Sequence, residues 1–185
     1  IAMRRWERFK GGVRIEFFCG QRALREHRWK NAMVLDLAAE LSVKDREMAD
    51  AVRRVREQLR DTAQTLTLYR DRVLDDEARR LLTEATGTPK VVTGILQDHS
   101  INDVAQLAGK IVAAERSVAA LATPDGKIVL ARSGGVDVEA GRVLREIVES
   151  LGGRGGGRSD FAQGAVPAER LAAAVAALQQ ALTRA

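Results

Sequence analysis

Apolar positions along this chain follow three periods in turn. Residues 3–9 and 13–19 are two short runs rich in aromatic and β-branched side chains, and the intervening "KGG" at 10–12 offers the positive φ angles of a tight hairpin loop. From Gly20 the spacing turns helical through residue 41. A lone two-stranded hairpin is marginal in water, so these strands are expected to edge a sheet that packs on that helix or continues in further residues. Trp6, Phe9, Phe17, Phe18 and Trp29 are the expected core of this region.

The second period is a heptad. Ser42, with Asp45 three residues on, reads as the cap of a helix. Met48, Val52, Val55, Leu59, Leu66, Tyr69 and Val73 then alternate by four and three, with Thr62 filling the missing step. No Gly or Pro interrupts residues 43–86, so one continuous helix of about 65 Å is expected at ~1.5 Å per residue. Its ten basic and ten acidic residues describe a solvated arm that pairs with itself or packs on a neighbouring helix.

The third period mixes strand and helix. Gly87 and Pro89 close the arm. "VVTGILQ" reads as a strand, Ser100 caps a helix, "SVAALAT" and "KIVLARS" are strands joined by "PDGK", and a helix starts at Asp137. A glycine-rich loop, a short strand near "DFAQGAV" and a final helix follow; Leu171, Val175, Leu178 and Leu182 are spaced for burial. The expected fold is α/β (α+β): a hairpin and helix over 1–41, a helical arm over 42–87, and a compact domain of order β-α-β-β-α-β-α over 88–185.

Composition narrows the function. The chain has 185 residues, 45% hydrophobic and 30% charged, enough for a real core. A net charge of +5 favours a polyanion partner, while 4% aromatic residues argue against a stacking platform for many bases. The one cysteine, Cys19, excludes an internal disulfide and reads as a core or half-buried thiol. His27 and His99 are too few and too far apart for the usual zinc spacings; the first reads as a surface or snugly packed residue and the second as a capping or turn residue. No apolar run approaches the ~20 residues that span a bilayer, so a cytoplasmic chain without a membrane partner is expected. The initial Ile suggests a piece of a longer protein.

"GGRGGGRSDFAQG" at 152–164 is the stretch that invites chemistry. Gly152, Gly157, Arg158 and Ser159 fit G-x-x-x-x-G-K-S except for Arg in place of Lys, but a phosphate-binding loop runs from strand to helix and here the order is reversed. G-x-G-x-x-G fails at Arg158. What remains is a loop with open amides and two guanidinium groups, Arg154 and Arg158, suited to a sugar-phosphate backbone. Ser159, Asp160 and Gln163 add hydrogen-bonding groups for ribose or base edges, unless Asp160 simply pins Arg158. The plain alternative is a glycine-rich turn packed tightly on the sheet.

The same stretch closely resembles the glycine-rich signature of the C-terminal domain of alanyl-tRNA synthetases, which is shared with the DHH-type phosphoesterases. "RWERFKGGVRIEFFCGQRALREHR" is similar to the final strands and exit helix of the aminoacyl-tRNA editing domain of those synthetases and of their free-standing editing relatives. A heptad-rich helix joins the two parts in that family. The resemblance implies a remnant of the editing domain at 1–41 and a tRNA-binding domain at 88–185 whose surface uses Gly152, Gly153, Arg154, Gly155, Gly156, Gly157, Arg158, Asp160 and Gln163. Ser159 stands where the family usually has Pro, and Ala165 where a further Gly is common. Editing in the family runs on zinc held by His-x-x-x-His and Cys-x-x-x-His motifs. Neither motif occurs here, so the implied fragment has no catalytic residue and no cofactor, with zinc expected in the missing editing domain. The expected partner is tRNA or another structured RNA. Two other functions stay open: assembly, with Val52, Val55, Leu59, Leu66, Tyr69 and Val73 pairing two copies as a homodimer, and substrate binding for a DHH-type phosphoesterase.

Overall fold

The computed structural model describes residues 1–183; residues 184–185, the end of the expected third domain, lie outside them. The chain divides into two compact units at residue 65.

In the first unit, β1 (Ala2–Phe9) and β2 (Gly12–Phe18) pair antiparallel across a two-residue turn in which Lys10 has φ 45° and Gly11 φ 78°. Register and alternation put Met3, Trp6, Val13, Ile15 and Phe17 on one face. These five are 51–64% exposed. The expected aromatic core is therefore absent: Trp6, Phe9, Phe17 and Trp29 stand in solvent and Phe18 is half-buried, because nothing in this unit covers the hairpin. The opposite face is ionic, with Arg5, Glu7, Arg14 and Glu16 linked at 3.3–3.6 Å and the Arg14 guanidinium 3.8 Å from the centre of the Phe9 ring. Cys19, expected as a core or half-buried thiol, is exposed just before α1 (Gly20–Glu40).

Ser42 does not open the next helix. It ends α1 in the left-handed region at φ 52°, its N–H bonded to the Ala39 carbonyl and that of Val43 to Ala38, the two bonds of a Schellman cap. A 3-10 turn over Asp45–Glu47, steadied by the Lys44 N–H on Glu47 Oε2 (3.2 Å), leads into α2 (Met48–Glu84). Val52, Val55 and Leu59 on α2 are exposed, and Ala38 and Ala51 are the buried apolar residues of this unit among the described ones.

The second unit carries the core. Its sheet runs in the order β3 (Lys90–Ile95), β4 (Ser117–Ala122), β5 (Lys127–Arg132), β7 (Phe161–Ala165), β6 (Arg154–Gly157), with β3–β4 parallel and the rest antiparallel. One face packs on α4 (Ala140–Ser150) and α5 (Leu171–Thr183), where Leu144, Val148, Leu171, Leu178 and Leu182 meet Val118, Ile128 and Leu130. The other face packs on α3 (Ile101–Val112) and the second half of α2, where Leu74, Ala78, Leu107 and Ile111 meet Val92, Leu121 and Val129. The mixed α/β class expected from sequence is what the structure shows, with two corrections. The glycine-rich loop is itself a strand, β6, so the order becomes β-α-β-β-α-β-β-α. The helix read from Asp137 begins at Ala140, because Val136 and Val138 go into the core first.

A polar rail holds α2 to α3. Arg70 Nε lies 3.0 Å from Asp103 Oδ1, Lys110 Nζ lies 2.6 Å from Asp71 and 2.7 Å from Asp75, and His99 Nε2 lies 2.9 Å from Glu77. His99 thus ties its turn to α2. Ser100 caps α3 as expected, its hydroxyl oxygen accepting from the Asp103 N–H at 3.3 Å while its O–H donates to Asp103 Oδ2 at 2.6 Å. That hydrogen bond first, then the Ser100 N–H and the Arg70 charge, hold the Asp103 carboxyl below its usual range against the opposing effect of burial. Asp71 and Asp75 raise the Lys110 ammonium. Leu66, Tyr69 and Val73 are exposed, so the heptad positions lie off the face of α2 that Leu74 and Ala78 bury.

Two predictions follow the rail and the core beneath it. Leu74→Ala is expected to lower stability by about 2–5 kcal/mol in urea denaturation, whereas Leu66→Ala stays within about 0.5 kcal/mol of the parent. A depressed folded-state carboxyl contributes stability above its unfolded pKa and loses it as pH falls through the folded one. Stability is therefore expected to fall on acidification below about pH 4, and Asp103→Asn to flatten that limb in pH-dependent melting.

Candidate nucleic-acid interface

The glycine-rich stretch begins as a helix cap. Gly152, at φ 78°, ends α4 with its N–H on the Glu149 carbonyl (3.1 Å), and the Gly153 N–H bonds to Val148 (2.7 Å). The chain then enters β6, pairs with β7, and turns at Arg158–Asp160 with the Arg158 N–H on the Phe161 carbonyl (2.8 Å). The carbonyls of Arg158 and Ser159 accept from the first amides of α4, Gly141 (2.9 Å) and Ala140 (3.0 Å). The open amide cradle of the sequence reading is thus replaced by a hairpin whose turn also seals the start of α4.

Most of the glycines are there for space. A Cβ on Gly153 would stand 2.1 Å from the Ala165 carbonyl oxygen, on Gly157 2.3 Å from that of Phe161, and on Gly155 2.9 Å from Gly164 Cα. Gly156 differs: its nearest neighbour is the tip of the Arg145 side chain, at 3.1 Å. The structure therefore turns Gly153, Gly155 and Gly157 to packing and brings Arg154, Gly156, Arg158, Asp160 and Gln163 together around the hairpin.

The arginines differ in how far they are engaged. Arg158 is tied to Asp160 through Nε (3.1 Å) and Nη2 (3.4 Å). Arg132, from β5, donates to the Ser159 carbonyl (3.0 Å) and to that of Ser133 (3.3 Å). Arg154 and Arg145 are exposed and form no ion pair among the described residues. Sequence reading missed Arg145 because it lies outside the glycine stretch. Its signal was the periodicity of α4: four residues after Gly141 and three before Val148, both buried, it sits on the flank of the helix beside the strands.

The charge here is local. Residues 66–185 hold 15 basic and 15 acidic side chains, whereas residues 1–65 hold 15 and 10 and account for the whole surplus. A groove of about 560 Å³ between α2 and α3, lined by Arg70, Asp71, Ser100 and Asp103, has those charges already paired within the rail. Among the described residues no three His, Cys, Asp or Glu side chains gather as a group that could hold a metal ion. No described helix is long and apolar enough to cross a membrane.

The DHHA1 domain model matches residues 88–184, just over half of the chain. The chain belongs to the DHHA1 domain family. An alanine–tRNA ligase of Methanocorpusculum labreanum is 30% identical over 166 residues, which take in 89% of this chain and 18% of the ligase. The alanyl-tRNA editing protein AlaX-L of Pyrococcus horikoshii is 25% identical over 177 residues, 90% of this chain and 42% of AlaX-L. The chain thus spans less than half the length of either relative. RecJ of Thermus thermophilus shares the fold, with a TM-score of 0.52 at 19% identity over 80% of this chain and 26% of RecJ. The hairpin lies inside the matched DHHA1 domain.

Adding a methyl group separates the packing glycines from the bare one. Gly153→Ala is expected to cost about 2 kcal/mol or more by overpacking against backbone, while Gly156→Ala meets only a flexible side-chain end and leaves the melting temperature nearly unchanged in calorimetry.

Proposed function

We propose that the DHHA1 domain of this chain is a non-catalytic RNA-binding module of an alanyl-tRNA synthetase-like editing protein, and that it holds tRNA at the β6–β7 hairpin. One observation carries the reading: two exposed arginines, Arg154 and Arg158, flank a strand stripped of side chains at the open edge of the sheet. Guanidinium groups grip phosphate in forked geometry, and bare strand lets a sugar-phosphate backbone come close. The names of the relatives, an alanine–tRNA ligase and an alanyl-tRNA editing protein, support tRNA as the nucleic acid.

Residues 1–41 fit a remnant of an editing domain. A hairpin with one ionic face and five exposed apolar side chains on the other is half of a sandwich, stable only when the apolar face is covered. Zinc belongs, in this reading, to the rest of that domain. Assembly through α2 is the second reading, favoured by the exposure of Val52, Val55, Leu59, Leu66, Tyr69 and Val73. Weighing against a symmetric pair, the charged residues flanking that seam are Arg56, Arg70 and Arg72, with no carboxylate to oppose them.

The test is a titration of fluorescent alanine tRNA, beside a generic duplex RNA, with the chain and its Arg154→Ala, Arg158→Ala double variant at two salt concentrations. Preferential tRNA binding that weakens about tenfold or more in the variant is expected. Absent binding, together with self-association abolished by polar substitution of Leu59, Leu66 and Val73 in sedimentation, would replace this reading with assembly.

A further inference from the structure

The side of the sheet that meets α3 is only partly covered. Register and alternation place Lys127, Ala165 and Arg154 in one row across β5, β7 and β6, and Val129, Gln163 and Gly156 in the next. Val129 is buried with the α3 residues, but Lys127, Ala165, Arg154 and Gln163 are exposed. The sheet therefore ends in a small open floor made of Gly156, Gln163 and Ala165, with Arg154 at its margin and Lys127 held by Asp125 at 2.6 Å.

Arg145 completes that margin from the other layer. Its backbone belongs to α4, on the opposite face, yet its Nη2 and Nε lie 3.1 and 3.5 Å from where a Cβ on Gly156 would stand on the floor side. The side chain thus reaches round the free edge of β6 and lays its guanidinium against bare backbone. Any side chain at 156 would compete for that place. Of the four arginines here, Arg158 is oriented by an exposed pair with Asp160 and Arg132 is engaged with backbone carbonyls, whereas Arg145 and Arg154 form no ion pair among the described residues.

We propose that this open floor seats the phosphate backbone of the bound RNA, and that Arg145 grips it from the free edge of β6 jointly with Arg154, beside Arg158 at the turn. The proposal rests on the RNA-binding reading above and adds a residue and a surface to it. A protein partner fits less well, because Gly, Gln and Ala give it almost no apolar area to bury. An added strand fits less well still, since Arg145 lies across the edge with which it would pair.

The test uses the whole chain and fluorescent alanine tRNA, titrated over a series of salt concentrations. Arg145→Ala is expected to weaken binding about tenfold or more, and to reduce the slope of log affinity against log salt by about one unit. Arg145→Lys is expected to restore the slope but only part of the affinity, because an ammonium keeps the charge and loses the fork. Arg170→Ala, which removes an equal charge from an exposed turn elsewhere in the domain, is expected to leave both within about twofold of the parent. Thermal melting confirms that each variant folds. Parent-like affinity and slope in folded Arg145→Ala would overturn the proposal while the RNA-binding reading stood; a parent chain that fails to bind tRNA would overturn both.

Discussion

The closeness of α4 to β6 and β7 is the constraint on which the interface depends. Backbone meets backbone there: Gly141 of α4 faces the Gly157 carbonyl, where a Cβ would stand 2.5 Å from the oxygen, and Gly155 lies against Gly164. At that separation the amides of Ala140 and Gly141 reach the carbonyls of the Arg158–Ser159 turn, so helix start and strand turn satisfy each other's polar groups. The same closeness decides where Arg145 goes. A helix held off by ordinary side chains would keep its guanidinium on its own side of the sheet.

The two units treat apolar surface in opposite ways. In the second unit Leu, Val, Ile and Ala fill one face of the sheet and, over β3 to β5, most of the other, and polar groups at the layer boundary are paired, as in the rail from Asp71 to Lys110 and from Arg70 to Asp103. In residues 1–65 Met3, Trp6, Val13, Ile15 and Phe17 share one strand face but remain in water.

Periodicity was the legible part. The helices, the four non-glycine strands of the main sheet, the Ser100 cap, the "KGG" and "PDGK" turns and the burial of Leu171, Leu178 and Leu182 follow from local pattern. The misreadings share a cause. Ser42 has the chemistry of an N-cap, but the two carbonyls left by α1 claimed the turn first. Residues 154–157 have no strand propensity at all, yet pair because β7 presents a free edge and only glycine fits under α4. The aromatic residues of β1 and β2 have core composition with no core to enter. Arg145 was missed for another reason: periodicity places it beside the buried residues of α4, but its relevance comes from a glycine eleven residues downstream, a relation that exists only once helix and strand are stacked.

The stripped strand also sets how this surface can change over time. At Gly153, Gly155 and Gly157 any substitution adds atoms where none fit, so drift there is one-sided and harmful. The arginines round the floor touch solvent and carry little of the fold. Mutation can therefore exchange, move or delete the cations while the scaffold beneath them stays the same, so the charge of this surface is free to vary over a hairpin whose backbone is not.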